Sequence, residues 1–458
     1  MLTDTSTSAG RAILLHDRYP TLDELADTAR HLAARHPDRC RLRTLGTSRA
    51  GRPLQLLSIA PDAPAPDAPA PDPRTPDADN VLVVSGAHAD EFSGRAGIVE
   101  LAHRALARPT PSTPAPPRPR TWHFLLCLDP DGAHLARGGL LARTLPAYFA
   151  GYFRPAADEQ PEWAPAIGGR LPESRILLDL IDELRPTLQL SLHTADVGGT
   201  FLQATADPTA LAEPFARSAA ALGIPIETGS FDTHRLPAAG PGVFLMEPHH
   251  IDTQENTTGM LAPGQQAPAG ARAATWFAPR RHGGRTVVVE VPAWTSDRLG
   301  DPAPAGDDAH RHLRAGADRL RERGSRLVDL TAALPPHDTP VLRAVRTQLT
   351  ALHQLADAWD PATADRPHPP PPLPTRAHLA GVDLWSHRIP VRAAALLRRA
   401  TPVLGPGPTE LLHTWCTQYR RRFRPTWLPV ARQAAHHANI AEAAAAVAEA
   451  AGVVDRPR

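Results

Sequence analysis

The pattern of apolar and polar positions divides the chain into two textures. In "YPTLDELADTARHLAARHPDRC", Leu22, Leu25, Ala29, Leu32 and Ala33 recur at helical spacing. "LRTLGTSRAGRPLQLLSIA" reads as a hairpin turning at Gly51. Short apolar runs then alternate with helical segments. "VLVV" from Val81 and "TWHFLLCLD" ending at Asp129 read as strands. "PESRILLDLIDEL" presents Ile176, Leu177, Leu180, Ile181 and Leu184 on one helical face. "TLQLSL" before His193 and "RTVVVEV" around Glu290 read as further strands. Strands alternating with helices predict an α/β fold whose sheet is largely parallel. Beyond about residue 300 the period changes to that of amphipathic helices: Leu313, Leu320 and Leu327 lie seven apart, and Leu342, Val345, Leu349, Leu352 and Trp359 share a face. The expected division is a leader over 1–14, an α/β catalytic domain over 15–300, and a mostly helical region over 301–458 that could dock a protein partner. Pro-rich stretches at 61–80 and 108–120 are expected as loops within the first domain.

Composition removes several function classes. The 49 basic and 48 acidic residues nearly cancel, which argues against a nucleic-acid or anionic-membrane partner. Cys40, Cys127 and Cys416 are odd in number and far apart, so neither a disulfide framework nor a Cys-based zinc site is expected. No secretion signal and no apolar run of membrane-spanning length is legible, so the expected location is the cytoplasm.

Candidate chemistry gathers at strand ends. "VLVVSGAHADEFSG" delivers His88, Asp90 and Glu91 just past a strand, and His88 and Glu91 form H-x-x-E. Imidazole and carboxylate both suit Zn²⁺, although the motif alone equally fits a helix N-terminus with acidic residues in its first turn. His193 also follows a strand, and two strand ends in a parallel sheet lie at one edge. Glu290 is a lone carboxylate among Val287, Val288, Val289 and Val291. Burial there would be costly without a partner and would push its pKa towards that of a general base.

The order of these motifs resembles the zinc carboxypeptidase family of the carboxypeptidase A and B type. His88–Glu91, "LDPDG" at 128–132, "LSLHTA" around His193 and "VVVEVP" around Glu290 follow the family's sequence of motifs, and "LGTSRAGRP" is similar to its opening hairpin. The resemblance implies a mixed, mostly parallel eight-stranded sheet flanked by helices. It implies one Zn²⁺ held by His88, Glu91 and His193, with Glu290 as the base that activates water for attack on an amide, most simply as a carboxypeptidase acting on a small or specialised peptide. Arg143, with Arg137 as competitor, is the implied oxyanion helper and a substrate contact. Arg154 takes the place of the family's carboxylate-binding pair. The chain departs from the family after His193, where Thr194 and Ala195 stand, and carries no Tyr between Tyr152 and Tyr419 to cap a substrate. Trp276 or Phe277 is the nearest substitute, and Arg280 and Arg281 hint at an acidic substrate side chain. An N-acyl amino acid deacylase on the same zinc site, or a binding protein that keeps the fold without turnover, are the alternatives. The cluster Glu247, His249, His250 and Asp252 is expected as a polar loop near the funnel rather than a second metal site, and His436 and His437 are expected at the surface.

Overall fold

The structure is a computed structural model that describes residues 18–61, 79–107, 120–229, 233, 236–252, 270–331, 334, 338–362, 374–400 and 406–454. The leader at 1–14 and the Pro-rich loops at 61–80 and 108–120 lie outside the described residues, apart from residue 61 and the loop ends that join strands.

Helix α1 (Leu22–Arg35) begins with a capping box: the Thr21 hydroxyl accepts the Glu24 N–H and the Glu24 carboxylate accepts the Thr21 N–H. The chain then builds β1 (Cys40–Thr47), β2 (Pro53–Ile59), β3 (Asp79–Ser85), helix α2 (Ser93–Ala107) and β4 (Arg120–Leu125). Helix α3 (Pro172–Leu184) leads into β5 (Leu188–His193), β6 (Val197–Gly198) and β7 (Phe201–Ala204). Helix α4 (Ala212–Leu222), β8 (Ala238–Gly240), β9 (Val243–Leu245), β10 (Arg285–Glu290) and β11 (Trp294–Thr295) follow.

Nine strands pair in the order β1-β2-β4-β3-β5-β10-β7-β9-β8. One more strand forms than the eight expected. The extra pairing comes from β7, β8 and β9, which are three or four residues long and too short to show a period. The sheet is mixed, and its four central strands, β4, β3, β5 and β10, run parallel. The strand expected to reach Asp129 stops at Leu125, because Asp129 instead caps the helix Pro130–Ala136 by accepting the Gly132 N–H. Central strands are buried on both faces, and every residue of β5 is buried. Continuous apolar runs are what such positions need.

The C-terminal texture is helical as expected: α5 (Ala309–Thr331), α6 (Pro340–Trp359), α7 (Arg376–Ala400), α8 (Gly407–Phe423) and α9 (Val430–Val454), with β12 (Thr426–Trp427) between the last two. Residues on both sides of position 300 share their cores. Phe149, Trp294, Leu320, Leu355, Leu396 and Tyr419 belong to one buried cluster. From α9, Ile440, Ala441, Ala444 and Ala445 pack into the cluster that holds Leu188, Leu192 and Val287 of the central sheet. β12 also pairs with β11, Trp427 opposite Trp294. Among the described residues no helix is long and apolar enough to cross a membrane.

Candidate metal centre

The sheet's parallel register assembles the site. In the β5–β10 pairing Glu290 is the direct partner of His193, so base candidate and imidazole leave the sheet side by side. β3 pairs in parallel with β5 as far as Ser85 and Leu192, which brings the following turn to the same edge. That turn depends on Gly86, which adopts φ +62° with a would-be Cβ only 2.6 Å from the Cys127 sulfur. Any other residue would meet both a left-handed backbone penalty and a clash.

His88 and His193 face each other edge to face, with ring centroids 4.9 Å apart. Both present Nδ1 to the Glu91 carboxylate: His88 lies 2.8 Å from Oε1 and His193 2.9 Å from Oε2. Candidate ligand atoms of the three residues all fall within 4.8 Å of one another, and all three side chains are buried. Glu290 Oε1 stands 3.8 Å from the same His193 nitrogen, with its side chain 19% exposed to the cavity. Two imidazole nitrogens and one carboxylate converging on a point suit a catalytic Zn²⁺ site, which takes three protein ligands and leaves a position open.

The electrostatics agree. Burial alone would raise the Glu91 carboxyl, but His88, Arg154 and His193 outweigh it and hold it well below the usual range. Burial opposes charge on both imidazoles. It prevails at His88, which is lowered, whereas Glu91 and Glu162 raise His193 well above its ordinary value. Glu162 is a participant that sequence reading missed. It is 1% exposed, accepts the Ser191 hydroxyl at 2.6 Å and lies 3.0 Å from His193 Nε2. A carboxylate on the far nitrogen orients an imidazole ligand and raises its basicity. Glu162 sits in an irregular loop, where no period marks it as buried.

Asp90, also in the opening turn, accepts Arg154 Nε at 2.8 Å, and Arg154 Nη2 donates to Glu91 Oε1. Arg154 therefore reaches the cavity that holds His88, His193 and Glu290. Arg143 does not. Its guanidinium lies 4.6 Å from the Trp427 ring centroid and donates to the Ala142 carbonyl, outside the residues that line this cavity. The sequence spacing that favoured it did not foresee that the C-terminal strand would offer an aromatic face. Arg137 also stays outside, beside His134.

Two further arginines reach the cavity from α7, which sequence reading had set apart from the catalytic domain. Arg388 Nη2 lies 2.7 Å from Asp196 Oδ1, and Arg392 Nη2 3.2 Å from Asp196 Oδ2. Trp385 lies under the Arg388 guanidinium at 4.8 Å from the ring centroid. Helix α6 adds Thr347, Gln348 and Ala351 to the wall. The cavity's apolar surface comes from Trp163, Phe201, Met246, Ile251 and Trp276. Trp276 thus reaches the cavity while Phe277 is buried away from it, and none of the four Tyr lines it. Arg280 donates to the Thr205 carbonyl and Arg281 to Asp182, so neither forms a cavity floor for an acidic side chain.

Glu247, His249 and His250 do come within 4.8 Å of one another, on and beside the short helix Pro248–Asp252 rather than in a loop. His249 is 65% exposed, and His250 Nδ1 already accepts the Glu247 N–H at 3.4 Å. His436 and His437, expected at the surface, are both fully buried. Ala-rich α9 has apolar residues on all faces, so its sequence could not say which of its polar residues turn inward.

Residues 25–145 match the family model described as zinc carboxypeptidase, so the resemblance drawn from the motifs holds over that segment. A search of curated proteins finds no match. Among solved structures, the chain is similar to carboxypeptidase A from Helicoverpa armigera, at 16% identity over 60% of this chain and 65% of that one, with a TM-score of 0.37. It is also similar to a metallo-carboxypeptidase from Burkholderia cenocepacia, at 15% identity over 74% of this chain and 68% of that one, with a TM-score of 0.38. The chain thus spans just under two thirds of the Helicoverpa protein's length.

Proposed function

We propose that the protein hydrolyses a peptide-type amide as a zinc-dependent carboxypeptidase, with His88, Glu91 and His193 holding one Zn²⁺ and Glu290 acting as base. The observation that carries this reading is the convergence of the three ligand groups at the sheet edge with Glu290 in register beside them. When bound, the ion supplies Lewis acidity towards a carbonyl and towards water. Glu290, half-buried and facing the cluster, takes a proton from the attacking water and returns it to the leaving nitrogen. Glu162 keeps His193 turned with Nδ1 towards Glu91.

Arg154, Arg388 and Arg392 line the cavity and can turn the N–H groups not already held by Asp90, Glu91 and Asp196 towards a substrate carboxylate, whereas Arg143 is not among the lining residues. The aromatic and aliphatic wall favours a bulky apolar side chain next to the scissile bond over an acidic one. Helices α6 and α7 close one side, which supports a small substrate and keeps an N-acyl amino acid as the second substrate class to assay.

Metal analysis of the purified protein, followed by a library of peptides and N-acyl amino acids, tests the reading. Glu290→Gln should lower kcat by roughly 10²–10⁴-fold, the usual worth of a positioned proton-transfer group, while zinc stays bound. A protein that carries no zinc, or a Glu290→Gln variant with undiminished turnover, would sink it.

A further inference from the structure

Among the described residues helix α9 contributes none to the cavity, yet two adjacent histidines connect it to both halves of the site. His436 and His437 are each fully buried. They are reached through hydroxyl groups on different elements.

On the His436 side the direction of every bond follows from donor and acceptor capacity. The Thr200 hydroxyl lies 2.7 Å from the main-chain carbonyl of Glu290, which can only accept, so Thr200 spends its one proton there. His436 Nε2, 2.9 Å from Thr200 Oγ1, must then carry the hydrogen. Its Nδ1 accepts from the Ser218 hydroxyl at 2.8 Å, and Ser218 accepts the Asn439 amide at 2.9 Å. A closed chain of donors thus runs from α9 to the backbone of the base candidate.

On the other side His437 Nε2 lies 2.8 Å from Ser93 Oγ. Its Nδ1 has no partner among the described residues, and an unfilled acceptor is less costly than a buried unpaired N–H, so Nε2 again carries the hydrogen. Ser93 Oγ sits 2.6 Å from Thr194 Oγ1 and 3.3 Å from the His193 carbonyl, and the Ser93 N–H donates to Thr194 Oγ1 at 3.0 Å. The Thr194 N–H in turn donates to Glu91 Oε2 at 3.0 Å. The approach of α9 to α2 is set by Gly97, whose missing Cβ would stand 2.9 Å from His437 Cβ. Thr194, a departure from the family pattern at sequence level, is the link in this relay.

We propose that α9 is a positioning element of the metal site: His437 fixes the Glu91–His193 pair through Ser93 and Thr194, and His436 fixes the Glu290 main chain through Thr200. This rests on the ligand and base roles assigned above. Neither histidine touches substrate or ion, so each acts through the residues it holds.

Full-length His437→Phe and His436→Phe remove the donors while keeping bulk, and the matching Gln variants restore an N–H near the Nε2 position. Zinc affinity is read by competition with a chelating chromophore, kcat and KM on the substrate found by the library, and folding by thermal unfolding. His437→Phe should weaken zinc by about tenfold, the low end of what outer partners of a metal ligand contribute, and His437→Gln should recover most of it. His436→Phe should leave zinc affinity nearly unchanged but lower kcat by about tenfold at constant KM, because only the base is displaced. If either Phe variant does not fold, Ser93→Ala and Thr200→Val cut the same relays with almost no change of volume and carry the same expectations. Folded variants that match wild type in zinc affinity and kcat, or losses that follow the unfolding midpoint alone and that Gln does not recover, overturn the proposal. A wild-type protein that binds no zinc overturns the ligand assignment itself, whereas a zinc-loaded wild type with indifferent histidine variants overturns only the role of α9.

Discussion

Glu162 offers the sharpest test of how the site is built, since it touches the His193 imidazole and stands outside the proposed ligand set. Its carboxylate accepts from Ser191 at 2.6 Å and sits 3.0 Å from His193 Nε2, and it is held below its usual pKa range despite burial because His193 lies beside it. Glu162→Gln keeps shape and one acceptor oxygen. The side-chain oxygen can still accept from His193 while the new amide donates to Ser191. What is lost is charge. Hydrogen bonds to charged groups contribute about 1.5–3 kcal/mol against about 0.5–1.5 for neutral ones, a difference of about 1–1.5 kcal/mol. That corresponds to zinc binding weaker by about five- to tenfold. Glu162→Leu removes the acceptor altogether; His193 Nε2 can still donate to Ser191 Oγ at 2.9 Å, but the buried Ser191 hydroxyl then lacks an acceptor, at about 1–3 kcal/mol, so the variant should lose both zinc affinity and thermal stability. Competition titration with a chelating chromophore at pH 8, where protons compete least for the ligands, gives the affinity. A folded Glu162→Gln variant that binds zinc as tightly as wild type would refute the claim that this carboxylate supports His193.

Two other outcomes follow from groups outside the cavity. Asp129 is raised to about 7, chiefly by burial. An ordinary Asp titrates near 4, so between about pH 4 and 7 the folded protein holds a proton that the unfolded chain has released. That contribution is complete below about pH 4 and disappears as pH rises through about 7, at up to about 1.4 kcal/mol per pH unit. Asp129→Asn keeps an acceptor for the Gly132 N–H and removes the titration, so its stability relative to wild type should improve from pH 5 to pH 8 in urea unfolding, and a constant gap would refute this. Arg143→Gln should cost about 0.5–2 kcal/mol of stability through loss of its contact with Trp427 while kcat/KM stays within about threefold, and a hundredfold fall in kcat with an unchanged unfolding midpoint would put Arg143 back in the site.

The sequence by itself determined the central strands, the long helices and the four residues that the structure gathers at one sheet edge. His88, Glu91, His193 and Glu290 were legible because each stands at or just past a strong apolar run, and a parallel sheet must gather such ends at one edge. Tertiary structure alone decided the rest. Glu162 comes from an irregular loop, and Arg388 and Arg392 come from α7, nearly 200 residues beyond their Asp196 partner, with sequence separations of 191 to 196 in their bonds to residues 196 and 197. The bond between Ser93 and His437 spans 344 positions. Periodicity reports only what neighbours along the chain do within a few turns. Which distant side chain fills a hydrogen bond depends on packing between elements, and no local pattern encodes it.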